Sequence, residues 1–233
     1  MAPSTKDTPL APVPKLDART PLTREAVLRA AIHLADTQGL DALTMRALGS
    51  ALGVKAMSLY NHVADKDAIL DGVVDLVVGE IEVPSHVDSW QLAMRKRALS
   101  AHAALLRHPW ACALMMSQSN VGPARIRYVD ATLGCLHGAG FSLPMADHAW
   151  TALDSYIYGF TLLRLNFPFA PGQYADVAAA YLPSLSAQQY PAMHALTALV
   201  ATGGYDGRHE LEFGLDLLLD GLERVRARER GGA

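Results

Sequence analysis

Side chains that can hydrogen-bond to DNA are concentrated in one short stretch near the N-terminus of this sequence. In the major groove a guanidinium suits guanine and a carboxamide suits adenine, while lysine, serine, tyrosine and histidine donate to phosphates. Taken singly, a tyrosine can also be a packing residue and a histidine an ordinary surface residue, but together these donors predict recognition of double-stranded DNA. The candidate DNA-binding residues are Thr44, Arg46, Lys55, Ser58, Tyr60, Asn61, His62 and Lys66.

Short helices must position these residues, and the apolar spacing predicts three of them. Helix one is expected between an N-cap at Thr23 and a glycine stop at Gly39. A second is capped by Thr44 and ends at Gly53, and a third is expected over residues 56–63, with Leu59 and Val63 facing inward. Two short helices joined by a glycine turn are typical of a helix-turn-helix.

A second candidate site lies in the C-terminal part, where aromatic and polar residues recur at helical spacing. Trp150, Asp154 and Tyr158 share a face that suits an apolar cavity with a few orienting donors. A core stripe with a solvated edge explains the same pattern equally well, so both interpretations stay open here. The candidate ligand-binding residues are His102, Trp110, Met115, Trp150, Asp154 and Tyr158.

The rest of the chain is helical by period, without the sustained alternation of a strand, so the predicted fold class is all-α. Residues 167–191 are rich in Pro, Gly and Ser and predict a mobile, loop-rich connection. Beyond the first three, helices are predicted over residues 65–81, 89–106, 109–117, 123–138, 144–166, 193–201 and 205–228.

The last predicted helix is apolar on more than one side. Leu211, Leu215 and Leu218 begin one stripe, and Phe213 and Leu217 form a second, shorter one. A helix of this kind packs within its own domain and against a partner. We therefore expect it to form a dimer bundle with the helix over residues 144–166, although burial within a single subunit remains an alternative.

Charge and composition agree with a DNA-binding head, formed by the predicted helix-turn-helix over residues 21–66, on a protein without membrane contact. The net charge is −3, but residues 1–66 hold eight Lys/Arg and six Asp/Glu, so the acidic excess belongs to the remainder. Cys112 and Cys135 show neither a disulfide nor a zinc spacing, which fits a cytoplasmic location. No apolar run approaches a membrane span. Residues 1–20 are Pro-rich and predict a flexible arm.

The motifs in this head resemble those of the tetracycline-repressor (TetR) family. They are Leu-Thr-Met-Arg-Ala-Leu, Leu-Gly-Val, Ser-Leu-Tyr, His-Val and Asp-Lys-Asp-Ala-Ile-Leu, all between Leu43 and Leu70. A weaker resemblance to the C-terminal domain found with that head continues through Ser89-Trp90, Arg107–Trp110 and Gly140–Ser142. The resemblance implies a homodimer that binds a palindromic DNA operator and responds to a small-molecule effector, with repression as the usual mode.

Residue roles follow from the resemblance position by position. It implies base or phosphate contacts for Arg46, Ser58, Tyr60 and His62, and a phosphate-binding role for Lys66. Lys55 and Asn61 stand where the tetracycline repressors carry other residue types, so a different operator sequence is expected. Where those repressors hold magnesium-tetracycline, Glu82, Arg97 and Met115 replace the histidine and asparagine, so tetracycline is not the expected ligand.

The expected organisation is an arm over residues 1–20, a helix-turn-helix domain over 21–66, a connecting helix over 67–84 and a sensing and dimerising domain over 85–233.

Two other functions compete with that of a ligand-responsive DNA-binding regulator. An all-α enzyme is disfavoured because no nucleophile elbow, phosphate loop or metal-spaced ligand set occurs, so no catalytic residue, metal or cofactor is expected. A purely architectural DNA-binding protein would have a solid C-terminal core instead of a cavity.

Overall fold

A computed structural model describes residues 21–85, 87–117, 122–169, 172–207 and 209–231, and these residues contain helices but no strand. The predicted flexible arm over residues 1–20 lies outside the described residues. The helices are α1 Arg24–Gln38, α2 Met45–Leu52, α3 Ala56–Leu59, α4 Lys66–Val78, α5 Trp90–Arg107, α6 Ala111–Ser117, α7 Pro123–Gly138, α8 Leu143–Leu165, α9 Gln173–Tyr181, α10 Pro191–Ala201 and α11 Leu211–Gly231, with 3₁₀ turns at Leu40–Ala42 and Leu182–Ser184.

Side-chain caps fix where several of these helices begin. In each case a hydroxyl or carboxylate accepts a hydrogen bond from the backbone N–H three residues later, which would otherwise lack a partner. Each such cap contributes about 1 kcal/mol to helix stability. The capping residues are Thr23, Thr44, Asp65, Ser89 and Ser142.

Two apolar cores are built along the chain, and α4 contributes to both. Ile69 and Val73 join the core formed by α1, α2 and α3, whereas Val77 and Val78 join the larger core of α5 to α8 and α11. Half-buried Trp110 packs against both cores. The scaffold formed by α1, α2 and α3 and the C-terminal domain are therefore joined through a shared, packed helix and not through a free linker.

The structure corrects two of the sequence-based boundaries. Helix α3 ends at Leu59 instead of Val63, because the N–H groups of His62 and Val63 both donate to the Leu59 carbonyl in a turn. The predicted loop over 167–191 contains α9 and a 3₁₀ turn. Alanines 178–180 favour a helix there, and Gly172 at φ +91° starts it. Proline and glycine at its edges had suggested a loop throughout.

Candidate DNA-binding surface and ligand cavity

The turn between α2 and α3 depends on two glycines. Gly53 ends α2 at φ +69°, a left-handed conformation that glycine adopts without strain. At Gly49 the two helices approach so closely that a Cβ atom would lie 2.9 Å from the Val54 carbonyl oxygen and 3.1 Å from the Ala56 nitrogen. Leu59 on α3 is fully buried in the head core. The turn therefore holds α3 at a fixed angle and presents its other face outward.

The predicted DNA-binding residues all reach the surface of the head. Ser58 and His62 are half-buried and the other six are exposed. Thr44 uses its hydroxyl oxygen to cap α2, accepting from Ala47 N at 3.1 Å, and its O–H remains able to donate. None of Arg46, Lys55 and Lys66 forms an ion pair with a described residue. These three cations can therefore meet phosphates or bases without first breaking an internal pair.

Met57 is a surface residue that the sequence analysis missed. Its side chain is 74% exposed on α3, between Lys55 and Ser58. An exposed apolar group on a helix that enters the major groove can contact thymine methyl groups. The sequence does indicate its exposure, because Met57 falls outside the apolar stripe that contains Leu59. A prediction based on hydrogen-bonding side chains does not include methionine.

A cavity of about 410 Å³ lies between the end of α4 and helices α6, α7 and α8. Its volume falls within the range of small-molecule sites. Four of the six candidate ligand residues line it, namely Met115, Trp150, Asp154 and Tyr158. The structure also assigns residues to its wall that the sequence analysis did not propose, and they are Val78, Met116, Arg125, Tyr128, Val129, Thr151, Ser155, Gly159 and Leu162.

The other two candidate ligand residues, His102 and Trp110, do not line the cavity. His102 is on α5, where its Nδ1 is 2.8 Å from the Thr161 hydroxyl and its ring meets the edge of Phe160. Trp110 precedes α6 and donates from Nε1 to Asp36 on α1 at 2.6 Å. Both residues were grouped with the cavity by composition alone, which does not show the direction in which a helix faces. Glu82, aligned with a tetracycline ligand position, is exposed and outside the cavity.

A buried polar network forms one wall of the cavity. The Asp154 carboxylate accepts hydrogen bonds from the Arg97 guanidinium, from Trp150 Nε1 at 2.7 Å and from the Tyr158 hydroxyl at 3.1 Å. Burial and the Asp154 charge raise the pKa of Tyr158. Burial also raises the pKa of Tyr128, whose ring lies 4.7 Å from the Arg97 guanidinium carbon. Both tyrosines therefore stay protonated at neutral pH and act as hydroxyl groups.

A second cluster joins the head to the C-terminal domain. His108, which follows α5, has its Nδ1 2.9 Å from Asp36 of α1 and its Nε2 3.3 Å from Glu80, just after α4. Arg107 also pairs with Glu80, at 2.7 Å. Burial by itself lowers the pKa of His108, but the two carboxylates outweigh it and raise the pKa overall. His108 therefore links α1 and the end of α4 to the C-terminal domain, and its two carboxylate partners favour the protonated form.

A third contact connects α4 with the cavity wall. The Asp75 carboxylate of α4 accepts from the backbone N–H groups of Ala124, at 3.2 Å, and Arg125, at 3.0 Å, in the first turn of α7. Gly122 makes room for it, since a Cβ there would lie 2.2 Å from the Asp75 carboxyl carbon. Asp75 thus caps a helix other than its own, and that helix carries Arg125 and Tyr128 to the cavity.

The described part of the chain offers few groups for metal or thiol chemistry. Its histidines, cysteines and acidic residues nowhere form a group of three that could hold a metal ion. Cys112 and Cys135 are buried free thiols, and burial raises the pKa of both. None of the helices described here is both long and apolar enough to cross a membrane.

The helix-turn-helix head, the shared helix α4 and the cavity behind it together define a DNA-binding protein with a ligand-sensing domain. Residues 27–73 match the family model described as bacterial regulatory proteins, tetR family, and residues 83–226 match the tetracyclin repressor-like C-terminal domain. The chain therefore belongs to the TetR family. This confirms the predicted family, the all-α fold class and the function of a ligand-responsive DNA-binding transcriptional repressor.

Known relatives cover most of the chain. It is 31% identical to the HTH-type transcriptional repressor DrrR1 of Streptomyces coeruleorubidus, over 94% of this chain and 83% of that protein. It is also 31% identical to the class C tetracycline repressor protein of Escherichia coli, over 88% and 92%. Apo ActR from Streptomyces coelicolor superposes with a TM-score of 0.75 at 26% identity, over 91% of this chain and all of that one. ActR in complex with actinorhodin gives 0.74 at 27% identity, over 89% and 99%.

Proposed function

We propose that this protein binds a palindromic DNA operator as a homodimer and leaves it when a small molecule fills the cavity between α4, α6, α7 and α8. The observation that carries this proposal is the position of α4. One end of this helix supplies Ile69 and Val73 to the head core, and the other supplies Val78 to the cavity wall. A ligand in the cavity therefore contacts α4, the same helix that forms part of the head core.

DNA reading is assigned to the exposed face of the head. Arg46 and Asn61 are proposed to contact base edges, and Lys66 and Tyr60 to contact phosphates, because their side chains are exposed and of the right chemistry. They lie on α2, in the turn that directly follows α3 and at the start of α4, which agrees with the docking of a helix-turn-helix, whose second helix lies in the major groove. Thr44, Lys55, Ser58 and His62 complete the proposed surface.

The dimer is assigned to α8 and α11. These two helices pack on each other within the subunit, where the Tyr156 hydroxyl donates to the Leu211 carbonyl at 3.0 Å. Each also leaves large apolar side chains in contact with solvent, notably Leu163 on α8 and Phe213 and Leu217 on α11. Exposed apolar groups on two adjacent helices favour a helical bundle with a second copy. A regulator of this kind acts where the chromosome is, so we place it in the cytoplasm.

The proposed ligand acts by differential affinity for two states. Two heads read successive major grooves only when they are about 34–36 Å apart. A molecule that binds better to a state with another spacing must weaken DNA binding by the same factor. We expect a coupling of about 5- to 150-fold in operator affinity, which is the usual range for coupled sites. The structures of ActR in complex with (S)-DNPA and with actinorhodin support a ligand-sensing role, since a related protein binds small molecules.

The proposal is tested first by selecting bound sequences from random duplex DNA with the full chain. A palindrome whose half-sites are about one helical turn apart is the expected result. An unsymmetrical or featureless set would contradict it. The selected duplex then serves as the probe for ligand titrations with wild type, Trp150→Ala and Tyr158→Ala. Equal release from all three proteins would place the effector site outside this cavity.

A further inference from the structure

We infer that the effector is a largely apolar molecule that presents a hydrogen-bond acceptor oxygen, as a carbonyl or a carboxylate, to the Tyr128 hydroxyl. The inference rests on the proposed function, since it takes the cavity as the effector site. It goes further by assigning the polar chemistry of the ligand and the residue that recognises it. Neither the family match nor the sequence motifs specify that chemistry.

Donors without acceptors are the main observation. The buried Tyr128 hydroxyl has no acceptor for its O–H among the described residues, and the Arg97 guanidinium beside it carries donors only. Tyr128 is 3% exposed and Arg97 is fully buried. Buried polar groups are nearly always paired, because an unpaired one loses its hydration without compensation. Tyr128 lines the cavity, so a ligand can supply the acceptor that the protein lacks.

The carboxylate in the same wall is already engaged. Asp154 accepts from Arg97, Trp150 and Tyr158, and its charge is balanced by the Arg97 guanidinium. A ligand that brings only donors, such as an amine, would therefore find neutral acceptors here, such as the Thr151 and Ser155 hydroxyls, and no free carboxylate. A cation would also face the buried Arg97 and the Arg125 side chain at the cavity wall. The electrostatics thus favour a neutral or anionic oxygen acceptor and oppose an ammonium group.

Arg97 strengthens the proposed donor. Its guanidinium lies over the Tyr128 ring, with 4.7 Å between the guanidinium carbon and the ring centroid. A positive charge against a phenol favours electron withdrawal from the oxygen and makes its O–H a better donor. Val78, Met115 and Leu162 offer apolar surface to a hydrocarbon body, while Thr151 and Ser155 add neutral hydroxyls. The cavity therefore combines a buried hydroxyl donor that lacks an acceptor with a largely apolar wall.

A matched set of tricyclic probes tests this chemistry on the full-length protein. Fluorene, 9-fluorenone, fluorene-9-carboxylate and 9-aminofluorene share one ring body and differ in the polar group. Their affinities are measured by calorimetry with wild type, with Tyr128→Phe and with the control Tyr156→Phe, whose hydroxyl donates to Leu211 and does not line the cavity. The ketone and carboxylate arms separate the two kinds of acceptor oxygen.

Wild type and Tyr156→Phe are expected to bind at least one oxygen probe about 3- to 10-fold more tightly than fluorene, as one hydrogen bond allows. Tyr128→Phe should abolish this preference while keeping its affinity for fluorene. It should also unfold at a temperature no lower than wild type in the absence of ligand, because it removes a buried O–H that lacks an acceptor. Equal binding of fluorene and both oxygen probes, or tightest binding of 9-aminofluorene, overturns this inference alone. Failure of all four probes to bind overturns the cavity as effector site, and the inference with it.

Discussion

In the proposed DNA-binding surface some side chains would anchor the protein to phosphates and others would read sequence, and each role predicts a different experimental result. Lys66 begins α4 in an exposed position with its charge unpaired among the described residues. A cation of this kind contacts phosphate, which carries no sequence information. Arg46 and Asn61 are equally exposed but have side chains that match base edges.

Substitution Lys66→Ala should weaken binding to all DNA sequences by a similar factor. Each phosphate contact releases condensed counterions, so the slope of log affinity against log salt should fall by about 1. Binding is measured on the selected operator and on an unrelated duplex at several salt concentrations. A changed sequence preference with an unchanged slope would show that Lys66 reads bases instead.

Alanine at Arg46 or Asn61 should relax specificity at one base pair of each half-site. A bidentate contact to a base is worth roughly 1 to 3 kcal/mol of discrimination, and that difference should disappear with the side chain. The measurement is a comparison of affinities for operators that differ at single positions. A uniform loss over all of these operators would assign the residue to the phosphate backbone.

His108 makes the joint between the two domains sensitive to pH. The groups that face it are Asp36 from α1 and Glu80 after α4, and Arg107 also pairs with Glu80. The pKa of His108 is raised in the folded protein, so folding favours its protonated form. The resulting stabilisation is complete below the unfolded pKa, near 6.5, and is lost as pH rises through the folded pKa.

His108→Asn should therefore remove part of the pH dependence of stability above about pH 6.5. Urea unfolding across this range gives the free energy for wild type, for His108→Asn and for the control His148→Asn, which changes an exposed histidine on α8. The free energy of unfolding of wild type and of His148→Asn should fall in parallel as pH rises, while that of His108→Asn should change less. Parallel curves for all three proteins would refute the role of His108.

At the scale of elements, the sequence was most informative where local chemistry decides the structure. The Thr23 and Thr44 caps and the glycine stop at Gly53 were predictable because they act through neighbouring residues. The start of α7 at Pro123 agrees with its prediction for the same reason. Helix α9 was missed because the proline and glycine at its ends outweighed its alanines.

Sequence periodicity could not show which residues from different helices meet at the same cavity. Trp150, Asp154 and Tyr158 share one helix, so their common face was predictable, and the structure places all three at the cavity. Tyr128 and Arg97 reach the same place from α7 and α5, through contacts distant in sequence. His102 and Trp110 were plausible by type but face other neighbours. Composition predicted the kind of site, and packing decided which residues line the cavity.

Asp75 is the element-scale link between the head and the cavity. By capping α7 from α4, it makes the position of the cavity wall depend on that of the helix shared by both cores. Asp75→Ala should therefore reduce the factor by which a cavity ligand weakens operator binding, while each ligand alone still binds. Operator affinity is measured with and without ligand for wild type, Asp75→Ala and the control Asp67→Ala, an exposed residue in the first turn of α4. An unchanged coupling factor in Asp75→Ala would show that α4 and the cavity communicate by another contact.

At the scale of the whole molecule, the proposed operator binding requires two heads held together. Phe213 and Leu217 are 74% and 62% exposed one turn apart on α11, while Leu211 and Leu215 on the same helix are buried in the subunit core. This helix therefore has one apolar face packed within the chain and another exposed face that suits the proposed dimer contact. A monomer would bind a single half-site and lose the gain from linked binding, which is commonly 10²-fold or more.

The double substitution Phe213→Glu and Leu217→Glu should give a folded monomer, because it places charges on the outer face of α11 and leaves the inner stripe intact. Sedimentation equilibrium should show the monomer mass, and circular dichroism should show unchanged helix content. Operator affinity should fall by about two orders of magnitude, whereas affinity for an isolated half-site should change little. Val87→Glu is the matched control, since it charges a 95% exposed apolar residue outside any helix and should remain a dimer. If the double variant stays dimeric, the interface lies on other helices, and the spacing of the heads is then set by a surface other than α8 and α11.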